Sequence, residues 1–184
     1  RGRAGELKNI KLQHLHTEGS APYAEQEFEG VFSLESFFVG GNVRKPTQEG
    51  WADYIPVHLS ETQKLIRSGI TPVDVAMIQV CPPDKHGYVS MGTSVDATLA
   101  AVQTAKTVIA VINPNVPRAW GDAIIKLSDI DIFCEDNTPL IEAHQAKLSE
   151  QDIKIGQHCA ALIEDGATLQ MGIGAIPNAV LSQL

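Results

Sequence analysis

The chain has 184 residues, 43% hydrophobic and 5% aromatic, and its 14 basic and 22 acidic residues give a formal net charge of −8. This composition can bury the core of one ordinary domain. The acidic balance argues against broad binding to nucleic acid or anionic membranes, although a polyanionic ligand could still bind through local basic groups or helix N-termini. No apolar run reaches membrane-spanning length and no signal-peptide pattern opens the chain, so we expect a cytoplasmic protein without nucleic-acid or membrane partners.

The cysteines and histidines give no pattern of a disulfide framework or a metal site. Cys81, Cys134 and Cys159 are odd in number and widely spaced, which predicts unpaired thiols in a reducing compartment. His14 and His16 would point to the same face of a strand. Two histidines make an incomplete ligand set, so we expect no bound metal.

Strand-like and helix-like stretches alternate, which predicts an α/β fold with an open, mostly parallel sheet flanked by helices. The nearly continuous apolar run Val73–Val80 is typical of a strand covered on both faces. The predicted strands are Ile10–Leu15, Tyr54–Leu59, Val73–Val80 and Thr107–Ile112.

Three capping-box patterns, Ser60–Gln63, Thr93–Asp96 and Ser149–Asp152, predict the starts of helices. The first helix is expected to end near Gly69 and the second to span Thr98–Ala105. In the third and longest helix, residues at helical spacing predict one apolar face, and Asp165-Gly166 predicts a glycine C-cap. The residues of that face are Ile155, Cys159, Leu162 and Ile163.

Two long loops, Cys81–Ser94 and Asn113–Asp122, each follow a predicted buried strand directly. Ligands of open parallel sheets bind beyond the carboxyl ends of the strands, so we expect both loops to reach one crevice together with a glycine-rich loop near the end of the chain. Arg118 in the second loop could hold a carboxylate or phosphate through its planar fork, or form a surface ion pair with Asp122. His86, in the first loop, is interpreted as a solvated or turn-stabilising group rather than a general base.

The final segment, Asp165–Leu184, predicts a turn, an apolar strand, a glycine loop and the start of a helix. Gly172 and Gly174 lack Cβ atoms where the chain must bend, and Pro177 suits the first turn of a helix. Free amides at a helix N-terminus favour negative charge, either a phosphate or a developing oxyanion. The bare pattern G-x-G-x-x-P also fits an ordinary strand-to-helix turn, and Pro177 replaces the third glycine of a dinucleotide-binding loop.

Longer segments carry a more specific resemblance. They are Pro82–Asp96, Asn113–Arg118 with Gly121-Asp122, and Gln170–Asn178, supported by Asn42–Lys45 and Ala52–Pro56. In these segments the chain resembles the acetyl-CoA hydrolase/transferase family, the class I CoA-transferases, and most of all the branch that includes the 4-hydroxybutyrate, butyrate and acetate CoA-transferases. The similarity spans essentially the whole chain.

The resemblance implies two similar α/β domains per subunit, with the active site between them. It also implies a glutamate nucleophile that attacks an acyl-CoA and forms a glutamyl-CoA thioester. In the family this glutamate lies shortly after the glycine loop, which places it beyond Leu184. We therefore expect residues 1–165 to be an N-terminal domain that lacks its first elements. Residues 166–184 would be the first strand, the glycine loop and the helix start of a C-terminal domain. The chain alone is expected to be inactive.

By the same resemblance, the residues expected to bind substrate or CoA are Gln170, Gly172, Ile173, Gly174, Asn113 and Arg118. The backbone amides of Ile173 and Gly174 are expected to donate to an oxyanion. The partners would be an acyl-CoA and a small carboxylate, with the CoA thioester as substrate, no bound cofactor, and a homo-oligomeric assembly. Three alternatives stay open: a non-catalytic acyl-CoA- or nucleotide-binding α/β module, an acyl-CoA hydrolase, and a sugar-phosphate isomerase, which fits the glycine loop but not Asn113–Arg118.

Overall fold

A computed structural model describes residues 3–142 and 147–184. These residues form eight strands, five α-helices and several short 3-10 helices. They fall into two compact units, Arg1–Ile141 and Glu142–Leu184, and each unit is described by itself. Within the described ranges, no helix is both long and apolar enough to cross a bilayer.

The first sheet of the first unit contains three parallel strands in the order β1 (Ile10–His14), β2 (Phe32–Ser36) and β3 (Ala52–Tyr54). Helix α1 (Gly41–Gln48) connects β2 to β3, as in a βαβ unit. The strand predicted at residues 54–59 lies earlier than expected. Ile55 N still donates to Ser36 O, but the following Pro56 has no N–H with which to continue the ladder.

The second sheet contains three parallel strands in the order β4 (Val75–Val80), β6 (Thr107–Ile112) and β8 (Ile132–Glu135). The strands predicted near Val73–Val80 and at Thr107–Ile112 are therefore confirmed, and so is the mostly parallel α/β class. One face of this sheet packs against α3 (Thr98–Thr104), and α3 packs against α2 (Leu59–Arg67). The buried strand residues are Ala76, Ile78, Val80, Val108, Ala110 and Ile112.

The prediction that β4 is covered on both faces is wrong for the structure described. Burial alternates strictly along this strand, and Met77 is 79% exposed. Met77 is in register with Ile109 of β6, which is in turn in register with Ile132 of β8, so the uncovered side chains form one continuous sheet face. An apolar run of strand length does not reveal which of its faces has a neighbour, because both faces have the same composition.

A short antiparallel pair, β5 (Tyr88–Ser90) with β7 (Ile124–Lys126), completes the first unit. Val89 and Ile125 are directly opposite each other, and both are buried in the core beneath the second sheet. This pairing was not predicted from the sequence. It ties the long connection after β4 to the long connection after β6.

Two of the three predicted capping boxes are wrong. The N-cap residues of α2 and α3 are His58 and Ala97, and neither makes a side-chain capping bond. Asp96 Oδ1 instead accepts a hydrogen bond from the N–H of the next residue, Ala97. The third box is confirmed: Asp152 N donates to Ser149 Oγ at 3.1 Å and Ser149 N donates to Asp152 Oδ2 at 2.9 Å.

The second unit consists of α4 (Glu150–Ala160) packed against α5 (Ala175–Leu181). The contact is centred on Gly156, where an added Cβ would lie 2.7 Å from the backbone of Ala179. Of the residues predicted to form an apolar face, Ile155 and Cys159 lie on α4 and are exposed, whereas Leu162 and Ile163 lie beyond its end. Because Gly156 lacks a Cβ, the two helix backbones can approach closely at this position.

The segment between these helices also differs from its prediction. Helix α4 ends at Ala160, and Gly166, at φ +76°, lies in a separate turn closed by Ala167 N donating to Glu164 O at 3.2 Å. Residues 161–174 contain no strand, although all of them are described. A strand needs a neighbour to accept and donate its backbone hydrogen bonds, and apolar composition alone does not supply one. The domain boundary between residues 165 and 166 stays a prediction.

Candidate functional site

The first loop (Cys81–Ser94) and the second loop (Asn113–Asp122) meet within the first unit, as expected. The buried Ser90 hydroxyl joins them: its Oγ lies 2.9 Å from Ala119 O and 3.0 Å from Ala119 N. The same oxygen accepts from Gly92 N at 3.1 Å. One hydroxyl thus acts as donor and acceptor between two chain segments, which fixes the distance between the loops.

Close backbone packing at Gly92 adds a second constraint. Its φ is +62°, and an added Cβ would lie 2.5 Å from Val116 Cγ1 and 3.2 Å from Pro117 O. Any other residue would therefore suffer both backbone strain and a steric clash. The glycine lets the first loop lie directly against the second.

Arg118 forms an ion pair with Asp84 of the first loop, with Nη2 and Oδ2 2.7 Å apart, and not with Asp122. Its guanidinium also donates to Tyr88 O at 3.3 and 3.4 Å. Sequence reasoning considered only the carboxylate near in sequence, whereas the β5–β7 pairing brings Asp84 beside the guanidinium. About a quarter to a third of each side chain stays exposed, at 27% for Arg118 and 33% for Asp84.

Asp84 organises the first loop. The pKa of this carboxyl lies below its ordinary value, and the main cause is the hydrogen bond from the backbone N–H of Tyr88. Burial, the second largest effect, raises the pKa, whereas the N–H of His86 and the Arg118 guanidinium lower it further. The amide bonds measure 3.0 Å from Tyr88 and 2.9 Å from His86. Sequence reasoning missed this role, although an aspartate three residues before a glycine is a recognised turn signal. His86 is exposed and belongs to the same turn, consistent with its interpretation.

Asn113 is 1% exposed, and its side chain is occupied within the protein. Nδ2 donates to Gln79 Oε1 at 2.9 Å and to Thr138 O at 2.8 Å. Oδ1 accepts from Asn115 N at 2.9 Å and from Asn115 Nδ2 at 3.0 Å. These bonds fix the start of the second loop, so they support a positioning role, and direct contact between Asn113 and a substrate stays a prediction.

The glycine loop (Gln170–Gly174) lies in the second unit, whereas Asn113 and Arg118 lie in the first. Ile173 is 96% exposed, and Gln170 Nε2 donates only to the adjacent Met171 O at 3.0 Å. Gly174 has φ +129° and is the N-cap of α5, so the sharp bend predicted for two glycines occurs there. An added Cβ on Gly172 would meet nothing closer than an ordinary contact, 3.8 Å from Pro177 Cγ.

Pro177 lies in the first turn of α5, as predicted. Substrate and oxyanion roles for Gln170, Gly172, Ile173 and Gly174 stay predictions.

Two carboxylates near β1, those of Glu35 and Glu18, have side-chain partners in the structure. Burial raises the pKa of Glu35, but hydrogen bonds from Lys11 and Gln13 outweigh it, so this pKa lies below its ordinary value. His16, just beyond β1, pairs with Glu18, with Nε2 and Oε1 2.7 Å apart. Both carboxylates are therefore paired with neighbouring side chains within the first unit.

His14 ends β1 with both ring nitrogens buried and without a hydrogen-bond partner among the described residues. Its ring lies edge-on to Tyr23, with centroids 6.1 Å apart. Burial, and secondarily the nearby His16, lower the pKa of His14.

Cys81, Cys134 and Cys159 are free thiols. Within residues 3–142 and 147–184 no group of three or more His, Cys, Asp or Glu side chains could hold a metal ion.

Comparison with known proteins agrees with the resemblance seen in the loops. The family model of the acetyl-CoA hydrolase/transferase N-terminal domain matches residues 2–142, which include both paired loops. The chain belongs to the acetyl-CoA hydrolase/transferase family. Its matched segment ends where the first compact unit ends, within one residue.

Known CoA-transferase sequences and one related crystal structure align with nearly the whole chain. The chain is 50% identical over 97% of its length to a succinyl-CoA:acetate/propanoyl-CoA:succinate CoA transferase of Fasciola hepatica. It is 46% identical over 94% of its length to a 4-hydroxybutyrate coenzyme A transferase of Clostridium kluyveri. The crystal structure of RipA from Yersinia pestis superposes with a TM-score of 0.88 at 28% identity, over 98% of this chain and 44% of that one. The chain spans 37% and 40% of the length of the first two relatives.

Proposed function

We propose that this chain is part of a CoA-transferase that moves CoA between a short-chain acyl-CoA and a small carboxylate. The observation that carries the proposal is the family match over residues 2–142, together with two relatives of 50% and 46% identity whose names are those of CoA-transferases. The substrates are an acyl-CoA thioester and a carboxylate, and no bound cofactor is required. The protein acts in the cytoplasm as a homo-oligomer.

The reaction proceeds through a glutamyl-CoA thioester, and the glutamate lies beyond Leu184 in the intact protein. Its carboxylate attacks the acyl-CoA carbonyl, expels the CoA thiolate and leaves a mixed anhydride. The thiolate then attacks the glutamyl carbonyl, which forms the glutamyl thioester and releases the first carboxylate. The incoming carboxylate reverses these steps, so that bonds and charges balance without an external oxidant or reductant.

The described residues would contribute binding and charge stabilisation. The backbone amides of Ile173 and Gly174 donate to the oxyanion that forms as the glutamate attacks, a contribution typically of about 3 kcal/mol per donor. Gln170 and Gly172 line the thioester, and the paired loops with Asn113 and Arg118 position the rest of the substrate. Residues 1–165 belong to the N-terminal domain and residues 166–184 begin the C-terminal domain.

The ping-pong mechanism gives the first test, carried out on the intact protein. Initial rates with acetyl-CoA and butyrate should fit ping-pong kinetics, because acetate leaves before butyrate reacts. Borohydride should inactivate the enzyme only in the presence of acyl-CoA, because it reduces an activated thioester and spares a free carboxylate. Sequential kinetics together with complete resistance to borohydride would refute the glutamyl-CoA mechanism.

A second test separates the proposal from its alternatives. The 184-residue chain alone should form no butyryl-CoA above a heat-killed control, since it lacks the proposed nucleophile. The intact protein should form butyryl-CoA faster than it releases free CoA in water. Faster release of CoA would identify a hydrolase, and binding without turnover would identify a non-catalytic module.

The branch of the family stays a prediction of the acetate and 4-hydroxybutyrate type. The two relatives differ by only four percentage points in identity to this chain, at 50% and 46%, and their names give different substrates. Identity therefore does not decide the acyl group. Comparing kcat/KM for acetate, butyrate, 4-hydroxybutyrate and succinate as acceptors would decide it.

A further inference from the structure

The turn that follows α4 contains Asp165-Gly166, the only Asp-Gly pair in the chain, and the chain has no Asn-Gly pair. An aspartate before a glycine can cyclise, because no side chain shields the glycine nitrogen as it approaches the aspartate Cγ. The reaction is intramolecular and closes a five-membered ring, so it needs no enzyme. Its progress depends on how freely the two groups can meet.

Both reacting groups lack hydrogen-bond partners among the described residues. The turn is closed by Ala167 N donating to Glu164 O at 3.2 Å, which uses neither the N–H of Gly166 nor the carboxylate of Asp165. Residues 164–170 are all exposed, and the pair belongs to no helix or strand. Rotation of the backbone here breaks few contacts, so the nitrogen can reach the carboxyl carbon at low cost.

Other aspartates of the chain are held in place. The Arg118 guanidinium binds Asp84, and Ser149 binds Asp152 through both its backbone N–H and its hydroxyl. Each of these aspartates is followed by a residue whose side chain hinders the attacking nitrogen. Asp84 and Asp152 therefore serve as internal comparisons.

We propose that Asp165-Gly166 is a site of spontaneous covalent modification, at which aspartate converts to isoaspartate. Gly166 N attacks Cγ of the Asp165 carboxyl group, the nitrogen loses its proton and one carboxyl oxygen leaves as water, which gives a succinimide. Water then adds to the ring, and opening at the α-carbonyl leaves the main chain running through Cβ and Cγ of Asp165. One water leaves and one returns, so the atoms balance without an oxidant or reductant.

The product has one additional backbone atom in a segment whose two ends are fixed. Helix α4 ends at Ala160, α5 begins at Ala175, and the two helices pack together at Gly156. The added atom is therefore absorbed between the helices, in the segment that contains the glycine loop. The hydrogen bond from Ala167 N to Glu164 O spans the modified residue, so the turn that it closes is altered as well. Modification at this turn thus displaces the glycine loop.

The modification can be measured on the intact protein, aged in neutral buffer, unfolded and digested with a protease that cleaves before aspartate but not before isoaspartate. Cleavage before Asp165 should be lost progressively, through a species lighter by one water, whereas cleavage before Asp84 and Asp152 should be retained. Asp165→Glu is the matched control, because it keeps a carboxylate and the glycine but can cyclise only through a slower six-membered ring. It should form no lighter species. Full cleavage before Asp165 after ageing, or equal losses at all three aspartates, would overturn the proposal.

Displacement of the glycine loop has its own readout, the NMR amide resonances of Gly172 and Gly174 in protein made with isotope-labelled glycine. Second resonances should appear in aged wild type, in proportion to isoaspartate, and should be absent from aged Asp165→Glu. Isoaspartate without any change in these resonances would refute the displacement.

The effect on activity rests on the proposed function. Modified molecules should lose about a hundredfold in kcat/KM for butyryl-CoA formation, the typical cost of displacing a reacting group by about 1 Å. Unchanged activity after complete conversion would refute the displacement. Isoaspartate and second resonances in a protein that forms no butyryl-CoA even when fresh would support the modification site and reject the transferase.

Discussion

The paired loops and the glycine loop are built in opposite ways. The paired loops are held by side chains from several elements, with the Ser90 hydroxyl, the Asp84–Arg118 ion pair and the Asn113 amide each joining separate segments. In the glycine loop, by contrast, Gln170 makes a side-chain hydrogen bond only to its neighbour among the described residues, and the bend of the loop follows from the backbone of Gly174. Substitutions should therefore cost stability in the paired loops and activity in the glycine loop.

The largest effect is expected in the glycine loop. In the intact protein, Gly172→Val should lower kcat/KM about a hundredfold, because a branched side chain would intrude where the thioester is proposed to approach the backbone donors. The midpoint of denaturation should stay unchanged, since a Cβ at this position meets only Pro177 Cγ at 3.8 Å. Gly5→Val, at a glycine with nothing within 4 Å of an added Cβ, is the control. Near-native kinetics would reduce the glycine loop to a structural turn.

The next largest effect should follow from Gly92→Ala, which we expect to destabilise the protein by about 3 kcal/mol in urea denaturation. A methyl group there would combine left-handed backbone strain with a contact of 2.5 Å to Val116 Cγ1. Gly87→Ala is matched, since φ is +79° but nothing lies within 4 Å, and it should cost about 1 kcal/mol. Equal losses in the two variants would mean that the contact between the loops contributes nothing.

Asn113→Ala should cost about 2 kcal/mol in the same measurement, because it removes the several hydrogen bonds that the buried amide makes with its partners. Those partners include Gln79 Oε1, Thr138 O and Asn115 N. Asn115→Ala, at the exposed end of the same network, should cost less than about 1 kcal/mol. If Asn113→Ala proved fully stable but lost substrate affinity, Asn113 would be a binding residue rather than a positioning one.

The smallest effect concerns pH. Because burial lowers the pKa of His14 below its ordinary value of 6.5, the unfolded chain binds this proton more readily than the folded one. Its contribution to stability is therefore complete above about pH 6.5 and is lost as the pH falls towards the lower folded pKa. His14→Gln should flatten the dependence of the denaturation midpoint on pH below 6.5. An unaltered pH profile in this variant would show that His14 titrates alike in both states.

Local sequence signals predicted those features whose cause is local. The strand Thr107–Ile112 and the capping box Ser149–Asp152 are correct because β-branched composition and reciprocal side-chain bonds act within a few residues. The same reasoning failed for α2 and α3, where Ser60 and Thr93 match the pattern but the helices begin at Leu59 and Thr98. A capping box is permissive and does not determine where a helix begins.

The sequence by itself determined the α/β class, the family and the three segments that carry the candidate site, because periodicity and long motifs are properties of the chain as written. Only the tertiary structure decided the partner of Arg118, the buried use of Asn113 and the need for glycine at position 92. Each of these depends on residues that are distant in sequence, such as Asp84 and Gln79, which the pairing of β5 with β7 and of β4 with β6 brings close. Hydrogen bonds and steric contacts act over a few ångströms, so their partners are settled only when the strands have paired.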